Sequence, residues 1–341
     1  MWQKVKTELM EVVMLSDKFY SKGIIFGTVI GIILLTVIIW LIPENMYFDG
    51  EYPSWIQQKD YTHSYDDKSQ IIFLGDSAFK AAVIPAMISD DAYNLALGGA
   101  GPIEMYYSLK NYLQNHPKPK KVFISFGPMH FIYLQRYRDR ALYFHFLSPI
   151  ETIESQHNIF KYDKFSIKDR ISMWAENFRL MTKFPTEYFQ TIKRSQLARG
   201  NINKENYQQV ALERGHMFFG RDSHWTEHVI PHDQMLVDFK LLNSLDFYMH
   251  RLLNLCFEND IPVQMIQTPI NHITYDIVQQ HDYIVPYQNY LRNLSNDTGV
   301  EIETELVFYD TELFGDMMHL NERGAKIYTE NLKKNLLNRI D

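Results

Sequence analysis

Gly23 to Pro43 is a run of 21 residues without a charge. It contains Ile24, Ile25, Phe26, Val29, Ile30, Ile32, Ile33, Leu34, Leu35, Val37, Ile38, Ile39 and Trp40. A helix needs about 20 such residues to cross a bilayer. A cleavable signal peptide has a shorter apolar core and small residues at its cleavage site. Here the run ends in bulky Trp40-Leu41-Ile42-Pro43, which reads as an uncleaved anchor. A core helix of this length would show a polar face, and this one has none. Trp40 suits the outer interface. Lys4, Lys6, Lys18 and Lys22 precede the run, Glu44, Asp49 and Glu51 follow it, and the next lysine is Lys59. The positive-inside rule therefore places 1–22 in the cytoplasm, as an amphipathic segment, 23–43 in the membrane and 44–341 outside the cytoplasm. Residues 1–22 carry four lysines and three acids, so the outer part stands at −8 in a chain of net −7.

Composition narrows the outer part. There is no long basic run, so nucleic acid is not an expected partner. Cys256 is the single cysteine, which excludes an internal disulfide and a cysteine-rich metal site. Residues 44–69 are polar and aromatic and read as a linker. Residues 70–341 then read as an α/β domain.

That domain begins on Ile71-Ile72-Phe73-Leu74-Gly75-Asp76-Ser77. Four apolar residues read as a buried strand. Gly75 supplies a corner, and 78–88 can continue as a helix. A serine at such a turn lies at the carboxyl end of a sheet, where open α/β folds bind ligands. Helix N-terminal N–H groups beside it can receive an oxyanion. The plainer alternative is that Asp76 and Ser77 only cap the helix. Ala92 to Leu97 reads as a second strand, followed by Gly98-Gly99-Ala100-Gly101, where backbone can approach a ligand closely. That turn lacks the Gly-x-Gly-x-x-Gly pattern of a dinucleotide site. Pro102 opens a helix, and 121–126 is a third strand. Repeated strand–turn–helix units imply a parallel sheet.

About 127–231 breaks this rhythm and reads as a mostly helical insertion, its aromatic residues mostly core. Within it Arg136, Arg138, Asp139 and Arg140 read as a solvated helical face. His224, His228 and His232 are spaced as ligands on one helix face would be, but Pro231 breaks that helix, and no metal or other cofactor is expected. The rhythm returns with a helix ending near Asn259, a fourth strand over 261–267, a helix near 283–296 and a fifth strand near 300–307. A last helix spans about 321–337. Just before it stands Asp316-Met317-Met318-His319. An Asp-x-x-His turn lets the carboxylate orient the imidazole, and the imidazole could then serve Ser77 as a base.

Gly-Asp-Ser after the first strand, the glycine-rich turn after the second and Asp-x-x-His before the last helix together resemble the SGNH (GDSL-like) hydrolase superfamily. The resemblance covers about 71–130 and 232–338. It implies a three-layer α/β/α, flavodoxin-like parallel sheet. It makes Ser77 the nucleophile, His319 the base and Asp316 its partner, with the N–H groups of Ser77 and of Gly98 or Gly99 as oxyanion hole. The family's third motif, Gly-x-Asn-Asp, is here Gly127-Pro128-Met129-His130. The Asn is missing, and His130 is the substitute donor expected in its place. The N-terminal anchor, the Asn94–Gly99 turn and His319–Ala325 narrow the likeness to membrane-anchored SGNH proteins that work beside membrane-bound O-acyltransferases (MBOAT class). Those include the teichoic-acid D-alanylation protein DltD and exopolysaccharide acetylation proteins. This implies a serine acyltransferase or esterase acting on an envelope polysaccharide or teichoic acid through an acyl-Ser77. The missing Asn favours the alternative, a non-catalytic polymer-binding or scaffold subunit.

The topology has a direct check. Protease added to intact spheroplasts is expected to digest 44–341, and full protection of that segment would overturn the orientation.

Overall fold

The structure, a computed structural model, describes residues 2–65, 69–135, 137–219, 238–280 and 282–337. A single helix, α1 (Trp2–Leu41), carries both the amphipathic stretch and the uncharged run without a break. Its part Tyr20–Leu41 is long and apolar enough to cross a membrane. Most side chains there are exposed. Near its end Ile39 is buried against the rest of the protein.

Of residues 44–69, expected as a linker, 44–63 are part of the fold. A 3-10 turn, Glu44–Met46, leads into α2 (Tyr52–His63), and Tyr47, Phe48, Tyr52 and Trp55 are all buried. Large aromatic side chains bury about 150–250 Å² each. That gain outweighs the polar composition that suggested a linker.

The core then follows the expected rhythm: β1 (Ile71–Gly75), α3 (Ser77–Ala82), α4 (Pro85–Ile88), β2 (Ala92–Asn94), α5 (Pro102–Asn115) and β3 (Lys121–Ser125). The helix expected over 78–88 is broken in two, because Pro85 disfavours helical backbone at Ile84. Ile84 is extended, and its N–H donates to Thr329 Oγ1 instead. The insertion is helical over its described part, with α6 (Pro149–Tyr162), α7 (Ile167–Met181), α8 (Pro185–Ser195) and α9 (Gly200–Leu212). His224, His228, Pro231 and His232 lie outside the described residues.

The chain returns through α10 (Asn243–Glu258), β4 (Val263–Met265), β5 (Ile270–Asn271), α11 (His272–Val278), α12 (Ile284–Thr298), β6 (Glu301–Ile302), β7 (Phe308–Tyr309) and α13 (Glu322–Leu337). The main sheet has the order β2-β1-β3-β4-β6 and is parallel throughout, while β5 and β7 form a separate parallel pair.

Side chains alternate across a strand, and the sheet buries both faces. Ile72, Leu74, Val122, Ile124 and Met265 pack with Trp55, Tyr112, Leu252 and Leu291 from α2, α5, α10 and α12. Phe73, Phe123 and Ile266 pack on the other face with Phe79 of α3 and Tyr328 and Leu332 of α13. Chain order reverses between β1 and β3, and the crevice at the carboxyl ends of two such strands is where open α/β sheets take ligands.

Gly75 is set by this crossing. A Cβ there would lie 2.1 Å from the Ser125 carbonyl oxygen on β3. Backbone cannot yield as a side chain can, so Gly75→Ala is expected to cost about 3 kcal/mol or to prevent folding. Urea unfolding in detergent reads the loss, and unchanged stability would mean that β1 and β3 can part at this point.

Candidate active site

β1 ends against β3, and the turn that follows is organised by the buried carboxylate of Asp76. Its Oδ1 accepts from the N–H groups of Ala78 (2.9 Å) and Phe79 (3.2 Å), capping α3. Its Oδ2 accepts from the N–H of Gly127 (2.7 Å), just beyond β3, and lies 3.1 Å from His130 Nε2. Capping therefore falls to Asp76 alone. Ser77 is the first residue of α3, and its hydroxyl is left for something else.

That partner is His319, whose Nε2 stands 2.8 Å from Ser77 Oγ. On the far side of the ring, Nδ1 stands 2.7 Å from Asp316 Oδ2. Asp316 Oδ1 also accepts the backbone N–H groups of Met318 and His319, both at 2.8 Å. Burial pushes the Asp316 carboxyl up, but the hydrogen bond and charge of His319, with the two N–H donors, outweigh it and hold the group below its ordinary value. With Nδ1–H donated to Asp316, Nε2 is the acceptor for the Ser77 hydroxyl. Residues 242 apart in sequence thus form one relay.

The relay is held by a short closed loop. A bridge between Phe314 and Leu320 closes it, and the Gly315 N–H donates to the His319 carbonyl. The Asn321 amide donates to the Glu312 and Phe314 carbonyls and accepts from the Gly324 N–H. Gly324 admits no side chain, since a Cβ would lie 2.2 Å from the Leu313 carbonyl oxygen. α13 then packs on α3, where Thr329 Oγ1 donates to the Ala82 carbonyl. Two helices in contact fix His319 over Ser77.

Gly98 and Gly99 line the same cleft as Ser77 and His319, a space of about 230 Å³. Gly99 has φ +74°, a conformation that suits glycine. Among the described residues the N–H groups of Ser77, Gly98 and Gly99 have no hydrogen-bond acceptor. His130 also lines the cleft, but its Nε2 is directed at Asp76. To donate to an oxyanion, that nitrogen would have to leave the carboxylate.

Other residues of the cleft escaped the sequence reading. Glu51, placed in a supposed linker, receives Arg140 through Nε (2.7 Å) and Nη2 (3.0 Å), and a Cβ on Gly98 would lie 3.1 Å from its Oε2. Arg140 belongs to a turn of π-helix, Tyr137–Leu142, and also lies over the Phe144 ring. The basic stretch is therefore no free solvated face: Arg140 forms the cleft wall and Arg138 pairs with Glu176, while Arg136 lies outside the described residues. Phe219 stacks on the His319 ring at 4.7 Å. It is delivered by a segment stitched to the sheet edge, where the Asn94 N–H donates to the Arg214 carbonyl and the buried Lys80 ammonium to the Gly215 carbonyl. A second, mostly apolar recess of about 80 Å³ opens on the other side of Ser77, lined by Phe126, Pro269, Ile270, Val278, Leu306 and Met317. No sequence signal marks these residues, because each is brought in by a different element.

Residues 237–341, which include Asp316 and His319, match the model of one protein family that carries no assigned activity. No curated protein matches the chain.

Glu104 sits under the glycine-rich turn and accepts the Gly101 N–H at 2.9 Å. Burial pushes its carboxyl up to about 7, although the N–H groups of Gly101 and Glu104 pull the other way. Between its ordinary value and about 7 the folded protein holds a proton that the unfolded chain has released. Stability therefore falls as pH rises through that window. Relative to Glu104→Gln, the wild type is expected to lose up to about 3 kcal/mol between pH 5 and pH 8. Urea unfolding of both proteins in detergent checks this, and parallel pH profiles would refute it.

Proposed function

We propose that this protein is an anchored serine acyltransferase or esterase of the SGNH type. In this reading the domain lies outside the cytoplasm and transfers an acyl group to a cell-envelope polysaccharide or teichoic acid beside an MBOAT-class membrane partner. The observation that carries it is the continuous relay from Ser77 Oγ through His319 to Asp316. Its position, in the crevice where strand order reverses, also supports the reading. So does the sheet order with helices on both faces, as expected of a three-layer α/β/α fold.

The chemistry follows from the geometry. Ser77 Oγ attacks the acyl carbonyl carbon while its proton passes to His319 Nε2, and Asp316 stabilises the imidazolium. The carbonyl oxygen becomes an oxyanion, met by the N–H groups of Ser77 and of Gly98 or Gly99. Collapse breaks the bond to the donor group, which leaves with the proton from His319. The acyl-Ser77 ester is then attacked by a polymer hydroxyl, whose proton goes to His319 and returns to Ser77. The apolar recess beside Ser77, about 80 Å³, offers room for a small acyl group. The cleft with Glu51 and Arg140 offers the polar partners that a sugar hydroxyl needs. With Glu104 neutral below about pH 7, the oxyanion turn faces no bare charge from that residue.

The decisive measurement is polymer acylation in cells that carry variants at normal protein level. Ser77→Ala and His319→Ala are each expected to lower it by orders of magnitude, and Asp316→Asn somewhat less. A serine-directed probe should label Ser77 in the wild type only. Wild-type acylation by Ser77→Ala would overturn catalysis and leave the scaffold role, which the missing Asn and the engagement of His130 with Asp76 would then favour.

A further inference from the structure

α7 presents an apolar stripe to solvent. Ile167, Ile171, Trp174 and Phe178 follow one another at helical spacing on one face and are 78, 65, 48 and 52% exposed. Asn177 and Leu180, on another face, are buried against the domain. A soluble surface seldom aligns four large apolar side chains in this way. What lies against them is indicated by the end of α7. Its C-cap, Thr182, accepts a hydrogen bond from Trp40 Nε1 at 3.1 Å, and the Lys183 ammonium lies 4.6 Å from the centre of the Trp40 ring. Lys183 also pairs with Glu44 at 2.5 Å. α8 packs against α1 as well. The turn joining α7 to α8 is thus fastened to the last turn of the apolar part of α1.

Tyr20–Leu41 is 22 residues, about 33 Å of helix, against a hydrocarbon core of about 30 Å. Trp40 then stands at the level of the headgroups. Measured along α7, Phe178 lies about 6 Å and Trp174 about 12 Å from the Thr182 contact with Trp40. Charge points the same way. Residues 164–194 hold seven Lys or Arg and three Asp or Glu, in a chain of net charge −7. Aromatic and branched residues on one face with basic residues around them are the pattern of a helix lying in a membrane interface.

We infer that α7 lies on the bilayer surface beside the α1 anchor, its Ile167–Phe178 stripe in the headgroup region of an anionic membrane. The domain is then held by two contacts, one spanning and one lying flat, so that it cannot swivel about α1. This rests on α1 being a span, and the experiment separates the two claims.

The full-length chain is reconstituted in phosphatidylcholine–phosphatidylglycerol nanodiscs with no partner protein. Nitroxide is attached in turn to Leu34→Cys in α1, to Ile171→Cys and Phe178→Cys on the stripe, and to Ser172→Cys on the exposed side away from it. The native Cys256 is buried and does not compete for label. Trp174 stays in place throughout, so labelling does not remove the main anchor. Power saturation then compares collisions with oxygen, which concentrates in lipid, and with a water-soluble nickel chelate. Positions 34, 171 and 178 are expected to favour oxygen, and position 172 the chelate. If 34 favours oxygen while 171 and 178 match 172, α1 spans but α7 stands in water or meets another protein, and the inference fails alone. If 34 itself favours the chelate, the span and the inference fail together.

Discussion

The carboxylate of Asp76 is the contact on which the site depends. One oxygen closes the first turn of α3 and the other draws in the Gly127 N–H and the His130 ring from the end of β3. An ionised acceptor with several N–H donors is worth more than neutral pairs, about 1.5–3 kcal/mol for each charged hydrogen bond. Here that energy is spent on geometry, because it joins the two strands between which chain order reverses. Ser77 inherits its position from this clasp. It needs no cap role of its own, so its hydroxyl is available to His319.

The second half of the site is built by an independent device. The loop from Phe314 to Leu320 is closed by its own backbone, and Asp316 takes three hydrogen bonds from within it. The loop thus holds Asp316 and His319 together through contacts of its own. α13 then docks it, through Thr329 and the apolar contacts of Tyr328 and Leu332 on the sheet face of Phe73 and Phe123. The hydrogen bond between Ser77 and His319 is thus supported by the packing of a whole sheet face.

The insertion and the N-terminal stretch add what the sheet alone lacks. Glu51 and Arg140 come from opposite sides of the chain to build one wall, and Phe219 covers the His319 ring. The same layer carries the contacts of Trp40 with Thr182 and Lys183. One body of helices therefore both borders the cleft and meets α1. That joins the orientation of the cleft to the orientation of α1.

Read by itself, the sequence determined the uncharged run, the parallel strand–turn–helix rhythm, the helical insertion over its described part, and Ser77, Asp316 and His319 as residues worth bringing together. These are local signals: periodicity, glycine and proline positions, and two short motifs whose side chains act on their own neighbourhood. Tertiary structure decided the rest. Residues 44–69 looked like a linker because polarity is counted per residue, whereas Phe48 and Trp55 are buried against Tyr143, Phe144, Phe146 and Tyr188, rings far away in sequence. The helix over 78–88 broke at Pro85, and the strands expected over 261–267 and 300–307 shrank to short pairs, since strand length is set by the neighbouring strand. Arg140 looked solvated because its partner, Glu51, stands 89 residues earlier. His130 could be named from its place after β3, but that its Nε2 faces Asp76 is a matter of distance, which no spacing encodes.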